Sequence, residues 1–124
     1  MSMINQYKGH SAYWQHDGPN GKQPLVSTFE GSDNAEDWKD IKARTGCFFM
    51  PDWSSLGAGP AVEKADGVAD GLFSWAAWPW SGRAMDTYTD HSYMDALKID
   101  KTHHKPYMMP VSPWYVVLIG VELS

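Results

Sequence analysis

Short, unbroken apolar runs alternate with helix-forming segments along this chain, and that alternation constrains the fold more than any other feature. Residues 25–29 (LVSTF), 47–50 (CFFM), 70–74 (DGLFS) and 106–111 (PYMMPV) each read as a strand. None of the runs alternates apolar with polar, which is the pattern of strands covered on both faces in a parallel sheet. Between them lie segments with helical spacing. Asp33 or Asn34 is placed to cap a helix carrying Trp38, Ile41 and Lys42, which Gly46 stops. Residues 61–65 give a short helix, and Thr89 or Asp90 is placed to cap one carrying Tyr93, Met94 and Leu97. Strand, helix, strand, helix, strand, helix, strand predicts α/β architecture built from βα units.

The strand exits carry the chemistry. Glu30 follows the first run, Asp52 and Trp53 the second, Trp75 and Trp78 the third, and Ser112 and Trp114 the fourth. A barrel of eight βα units puts its active site at that end of its strands. A doubly wound sheet also binds ligands there, but no Gly-rich phosphate loop follows any of these strands. The expected fold is therefore a partial (β/α)₈ barrel of about four consecutive βα units with parallel strands.

Tryptophans next to Pro79 and the Ser81-Gly82 turn suit a cleft in which the apolar face of a pyranose stacks on an indole. The plain alternative is a Trp-rich core corner, since Trp is highly buried on average. Aromatics make up 14% of the chain, a high share that favours exposed aromatic surface. The net charge of −5 argues against a nucleic-acid partner, and no Lys/Arg run suits an anionic membrane. The longest apolar run, residues 115–121, is too short to span a bilayer. No signal peptide opens the chain. Cys47, alone in the chain and inside an apolar run, reads as a buried thiol. His103 and His104 would point apart in an extended segment, so no metal site is expected, and no cofactor is implied. Residues 1–24 read as a helix end at 3–7, a short extended piece at 12–14 and a turn at 17–21. Trp38 and the Met108-Met109 pair read as core, Asp86 and Asp90 as helix caps, and Trp14 and Trp80 stay unassigned.

Four blocks in order, LVSTFEG at 25–31, CFFMPDWSSLG at 47–57, DGLFSWAAW at 70–78 and KPYMMPVSPW at 105–114, resemble glycoside hydrolase family 71, the fungal α-1,3-glucanases or mutanases. The likeness covers roughly residues 5–114. It implies a (β/α)₈ barrel, hydrolysis of α-1,3-glucan in fungal cell walls, and secretion. Two departures stand out. A whole barrel takes about 250 residues, and the family's Trp-Asn-Asp-Tyr-Gly-Glu type motif, with its acid–base carboxylates, does not occur in this chain. Residues 115–124 resemble nothing in the family and read as a tail of the kind an unspliced intron or frameshift leaves.

Glycoside hydrolysis usually needs two carboxyl groups flanking the bond. Glu30 and Asp52, at adjacent strand exits, are the pair this chain offers, whether as catalysts, as sugar ligands, or as partners for loop amides. Trp53, Trp75, Trp78 and Trp114 join them as substrate-binding residues. The expectation is a fragment of an α-1,3-glucan hydrolase, inactive alone. Its rivals are a non-catalytic glucan-binding remnant and a truncated product with no function.

Overall fold

The computed structural model describes residues 1–79, 84–99 and 104–112. Helix α1 (Ser2–Tyr7) leads into a hairpin of β1 (Gln15–Gly18) and β2 (Gly21–Val26), closed by the two-residue turn Pro19-Asn20. Next come α2 (Asp37–Thr45), β3 (Phe48–Phe49), α3 (Ala58–Ala65), β4 (Leu72–Phe73), α4 (Tyr88–Leu97) and β5 (Tyr107–Met108). Single 3₁₀ turns occupy Ser32–Asn34 and Ser54–Leu56. Three βα units and a fourth parallel strand thus lie within the described residues.

β2 pairs in parallel with β3 in the register Leu25↔Phe48, and β4 with β5 in the register Leu72↔Tyr107. The pairs are joined across Asp52, which bridges Phe29 on one side and Phe73 on the other, both parallel. Backbone bonds run from Met50 N–H to the Val26 carbonyl (2.9 Å) and from Phe73 N–H to the Pro51 carbonyl (3.1 Å). The parallel segments therefore stand side by side in sequence order, β2, β3, β4, β5.

One core holds the helices to these strands. It contains Ala35, Phe49, Trp53, Ala61, Ala65, Val68, Leu72, Tyr93 and Leu97. Trp38 on α2 stacks on Phe49 (centroids 3.6 Å apart, planes at 9°), and Tyr93 on α4 stacks on Tyr107 (5.2 Å). Because strand side chains alternate, Val26, Phe49, Leu72 and Tyr107 face the helices. Leu25, Phe48, Met50 and Met108 line a groove of about 340 Å³ on the other side, partly covered by Trp14 and His16. His16 stacks on Phe48 at 3.8 Å.

Two glycines are dictated locally. Gly46 adopts φ 71° at the end of α2, where its N–H bonds the Lys42 carbonyl. A Cβ on Gly71 would sit 2.6 Å from the Pro106 carbonyl oxygen and 2.8 Å from Met50 Cε, so only glycine lets β4 approach β5 this closely. Two lysines close the end of α3. Lys105 Nζ donates to the Ala65 and Ala69 carbonyls (2.8 and 2.6 Å), and Lys42 Nζ to the Val68 carbonyl and to Asp70 Oδ1. Asp70 Oδ2 accepts the Phe49 N–H at 2.8 Å, tying this ion pair to β3.

Several expectations are corrected. The short extended piece expected at 12–14 is instead a turn and bend at Ala12 and Tyr13, and strand pairing starts at Gln15. Asp33 and Asn34 lie in the 3₁₀ turn, and Glu36 stands at the N-cap of α2. Asp86 does bind the first turn of α4, accepting the Tyr88 N–H at 3.0 Å. Asp90 does not cap: Thr87 holds the N-cap, and Asp90 is buried inside the helix, bonded to Tyr107. Met109 is 47% exposed rather than core, because β5 ends at Met108.

Candidate functional site

Three of the parallel segments end within one small region. After Val26 the chain stays extended to Phe29, held on both sides by Asp52: the Asp52 N–H donates to the Thr28 carbonyl (2.8 Å) and the Glu30 N–H to the Asp52 carbonyl (2.7 Å). Glu30 then takes φ 55°, a left-handed conformation uncommon for a side-chain-bearing residue, and Gly31 follows at φ 90°. Such an outlier costs on the order of 1–3 kcal/mol and persists only when its surroundings fix it. Here the Glu30 carboxylate is fixed at both oxygens, accepting from the Ser55 N–H (3.0 Å) and the Ser55 hydroxyl (2.6 Å).

Asp52 is fully buried. Its Oδ1 accepts the Ser54 N–H at 2.9 Å and also the Ser54 hydroxyl. Its Oδ2 has no hydrogen-bond partner among the described residues, and neither has the buried Tyr93 hydroxyl. Burial pushes the Asp52 carboxyl up from its ordinary value, with nearby Glu30 adding to the rise and the Ser54 bonds opposing it. Burial likewise pushes the Tyr93 hydroxyl up, helped by the charges of Asp52 and Glu30. Both candidate carboxyls thus grip consecutive serines of one turn, Ser54–Leu56.

A second polar group lies below β4. Ser74, fully buried, donates to the Tyr107 hydroxyl (2.7 Å), which donates to Asp90 Oδ1 (2.7 Å). Burial pushes the Tyr107 hydroxyl strongly upward.

Over the strand exits runs a file of exposed rings. Phe29 (65% exposed) meets Trp75 (52%) edge to face at 5.2 Å, and Trp75 meets Trp78 (46%) at 5.7 Å. Phe73 touches the same Trp75 ring at 6.2 Å. Trp75 and Trp78 are therefore brought together as the sequence suggests. Trp53 is 1% exposed, packs edge-on against Phe49 and belongs to the core. Trp114 lies outside the described residues. Sequence reasoning misses Phe29, reading it only as the last residue of a strand. The signal is present, because an aromatic immediately before a strand-exit Glu-Gly has nothing beyond it to pack on.

Among the described residues no group of three or more His, Cys, Asp or Glu could hold a metal ion, and no helix is long and apolar enough to cross a membrane.

The chain is 38% identical over 104 residues to a glucan endo-1,3-alpha-glucosidase of Schizosaccharomyces pombe, which covers 73% of this chain and 23% of that protein. It is 34% identical over 123 residues to a mutanase of Penicillium rubens, covering 90% of this chain and 24% of that one. The chain spans about a quarter of the length of these curated relatives. No solved structure matches it. Residues 1–119 match glycosyl hydrolase family 71, and the chain belongs to that family.

Proposed function

We propose that this chain supplies part of the substrate cleft of an α-1,3-glucan hydrolase built on a (β/α)₈ barrel, binding the polysaccharide on the Phe29–Trp75–Trp78 file. The observation that carries this reading is the file itself: three large rings, about half or more exposed, in contiguous edge-to-face contact over parallel strand exits. Isolated exposed aromatics need no explanation, whereas a contiguous apolar patch on a polar rim marks a binding surface. The names of the relatives supply the sugar linkage. The barrel is supported by the strand order and by the sharing of one core among α2, α3 and α4, as in the outer helical layer of a barrel.

Glu30 and Asp52 serve the loop rather than the reaction, and the chain alone does not hydrolyse glucan. Three of their four carboxylate oxygens accept from Ser54 or Ser55, and the fourth, Asp52 Oδ2, is buried. A catalytic pair needs oxygens open to the sugar on both sides of the bond.

The test is retention of the purified chain on insoluble α-1,3-glucan, with release of reducing sugar measured in parallel. Retention should fall about five- to thirtyfold in Trp75→Ala and measurably in Phe29→Ala, as expected for losing roughly 1–2 kcal/mol of ring stacking. Sugar release that disappears in Glu30→Gln or Asp52→Asn would refute the non-catalytic assignment.

A further inference from the structure

We infer that Asp52 is a positioning residue for the aromatic platform: its backbone holds Phe29 and its carboxyl, through Ser54, holds Trp75. The inference rests on the glucan-binding reading for its purpose and on the hydrogen bonds for its mechanism.

Exposed rings are poorly placed by packing, so their position must come from the backbone that carries them. For Phe29 that backbone is pinned immediately before and after the ring, at the Thr28 carbonyl and the Glu30 N–H, and both partners are main-chain atoms of Asp52. For Trp75 the main-chain anchor is its own N–H, which donates to Ser54 Oγ at 2.9 Å. Ser54 Oγ donates its hydrogen to Asp52 Oδ1, which orients the hydroxyl with a lone pair toward that amide. The Ser54 N–H goes to the same oxygen at 2.9 Å, which fixes the turn and so the hydroxyl. An acceptor polarised by a buried carboxyl is stronger than an isolated hydroxyl, since bonded chains reinforce one another in a low-dielectric interior.

This arrangement gives a role to a buried carboxyl at the exit of β3. Placing Asp52 fully out of solvent is unfavourable unless its oxygens find donors. A Val or Leu there would pack without that penalty, but would leave Ser54 free to rotate and Trp75 without an aligned acceptor. The backbone of Asp52 bridges Phe29 on one side and Phe73 on the other, while its carboxyl reaches Ser54. The two rings, 5.2 Å apart, thus take their spacing from one residue.

The test compares Ser54→Ala, Ser54→Thr and Asp52→Ala in the full chain. Hydrogen exchange at the Trp75 amide and retention on insoluble α-1,3-glucan are read separately. Protection of the Trp75 amide should fall at least about tenfold in Ser54→Ala and return in Ser54→Thr, which keeps the hydroxyl. Asp52→Ala should resemble Ser54→Ala; because it empties a buried site and can fail to fold, Ser54→Ala carries the test. On glucan, Ser54→Ala should lower retention about fivefold and add nothing in a Trp75→Ala background. Unchanged Trp75 protection in Ser54→Ala overturns the inference. So does a Ser54→Ala loss of retention that is as large without the Trp75 ring, because the serine would then act through general stability. A wild-type chain that glucan does not retain overturns the glucan-binding reading. The exchange result still decides whether Asp52 and Ser54 anchor the Trp75 amide.

Discussion

Replacing Gly71 by alanine should destabilise the chain, whereas the same change at Gly59 should stabilise it. A Cβ at residue 71 would lie 2.6 Å from the Pro106 carbonyl oxygen, 2.8 Å from Met50 Cε and 3.0 Å from the Pro106 ring. Met50 can swing its flexible end aside, but the Pro106 carbonyl cannot move freely, because it accepts the Leu72 N–H at 3.1 Å. Relief therefore requires β4 and β5 to separate, weakening one of the contacts that continue the parallel strands past β4. Overpacking of this kind costs about 1–3 kcal/mol. Gly59 lies in α3, and a Cβ there would have nothing within 4 Å, so alanine gains about 0.5–1 kcal/mol by reducing the freedom of the unfolded chain. Urea unfolding followed by circular dichroism separates the two. With a slope of roughly 1–3 kcal/mol per molar, the midpoint should drop by about 1 M for Gly71→Ala and rise by a few tenths of a molar for Gly59→Ala. Equal midpoints for Gly71→Ala and wild type would refute the close strand approach on which the fold description depends.

Other consequences follow from buried groups. Tyr107→Phe removes the partner of both Asp90 and Ser74, each nearly or fully buried, and should cost about 1–3 kcal/mol in the same assay; a loss below roughly 0.5 kcal/mol would show that these groups find other partners. Because burial raises the folded-state carboxyl of Asp52, the folded chain holds its proton more tightly than the unfolded one. Its contribution to stability is complete below the unfolded value of 3.8 and is lost as pH climbs through the raised value, so Asp52→Asn should flatten the decline of stability above pH 4. An Asp52→Asn profile parallel to wild type would contradict that sign. Cys47 is 1% exposed and burial pushes its thiol up, so labelling by a disulfide reagent at neutral pH should track global unfolding with denaturant; rapid labelling of native protein would place the thiol elsewhere.

The parts of the fold legible in the sequence are those written as continuous apolar runs. The β2, β3, β4 and β5 segments overlap the runs that predict them, since strands covered by helices must be apolar there. Gly46 as the stop of α2 is legible for a similarly local reason, as one residue supplies the left-handed turn. The hairpin of β1 and β2 is legible only at its turn, residues 17–21, because QHDG and the GKQ that opens β2 carry no apolar pattern and pair through their backbones. Trp53 illustrates a signal that is available. Phe49 faces the helices, and a residue four positions along an extended chain shares that side, so strand parity sends Trp53 to the core; the same count from Leu72 puts Trp75, three positions on, on the opposite side. Asp90 is illegible for a different reason: at a helix start it satisfies every rule for a cap, and only the distant Tyr107 hydroxyl draws it inward.

The two carboxyls at the exits of β2 and β3 show why residue type and strand position do not by themselves assign a catalyst. Glycosidic chemistry requires a carboxyl that can exchange a proton with, or attack, an atom of the sugar, so at least one oxygen must be open to the cleft. The Glu30 carboxylate accepts from Ser55 at both oxygens, beside its own left-handed backbone. Asp52 would have to bring its buried Oδ2 to the surface and release Ser54, which carries the Trp75 amide. On the proposed reading the carboxyls hold the loop, and the aromatic file above them is the surface offered to the substrate.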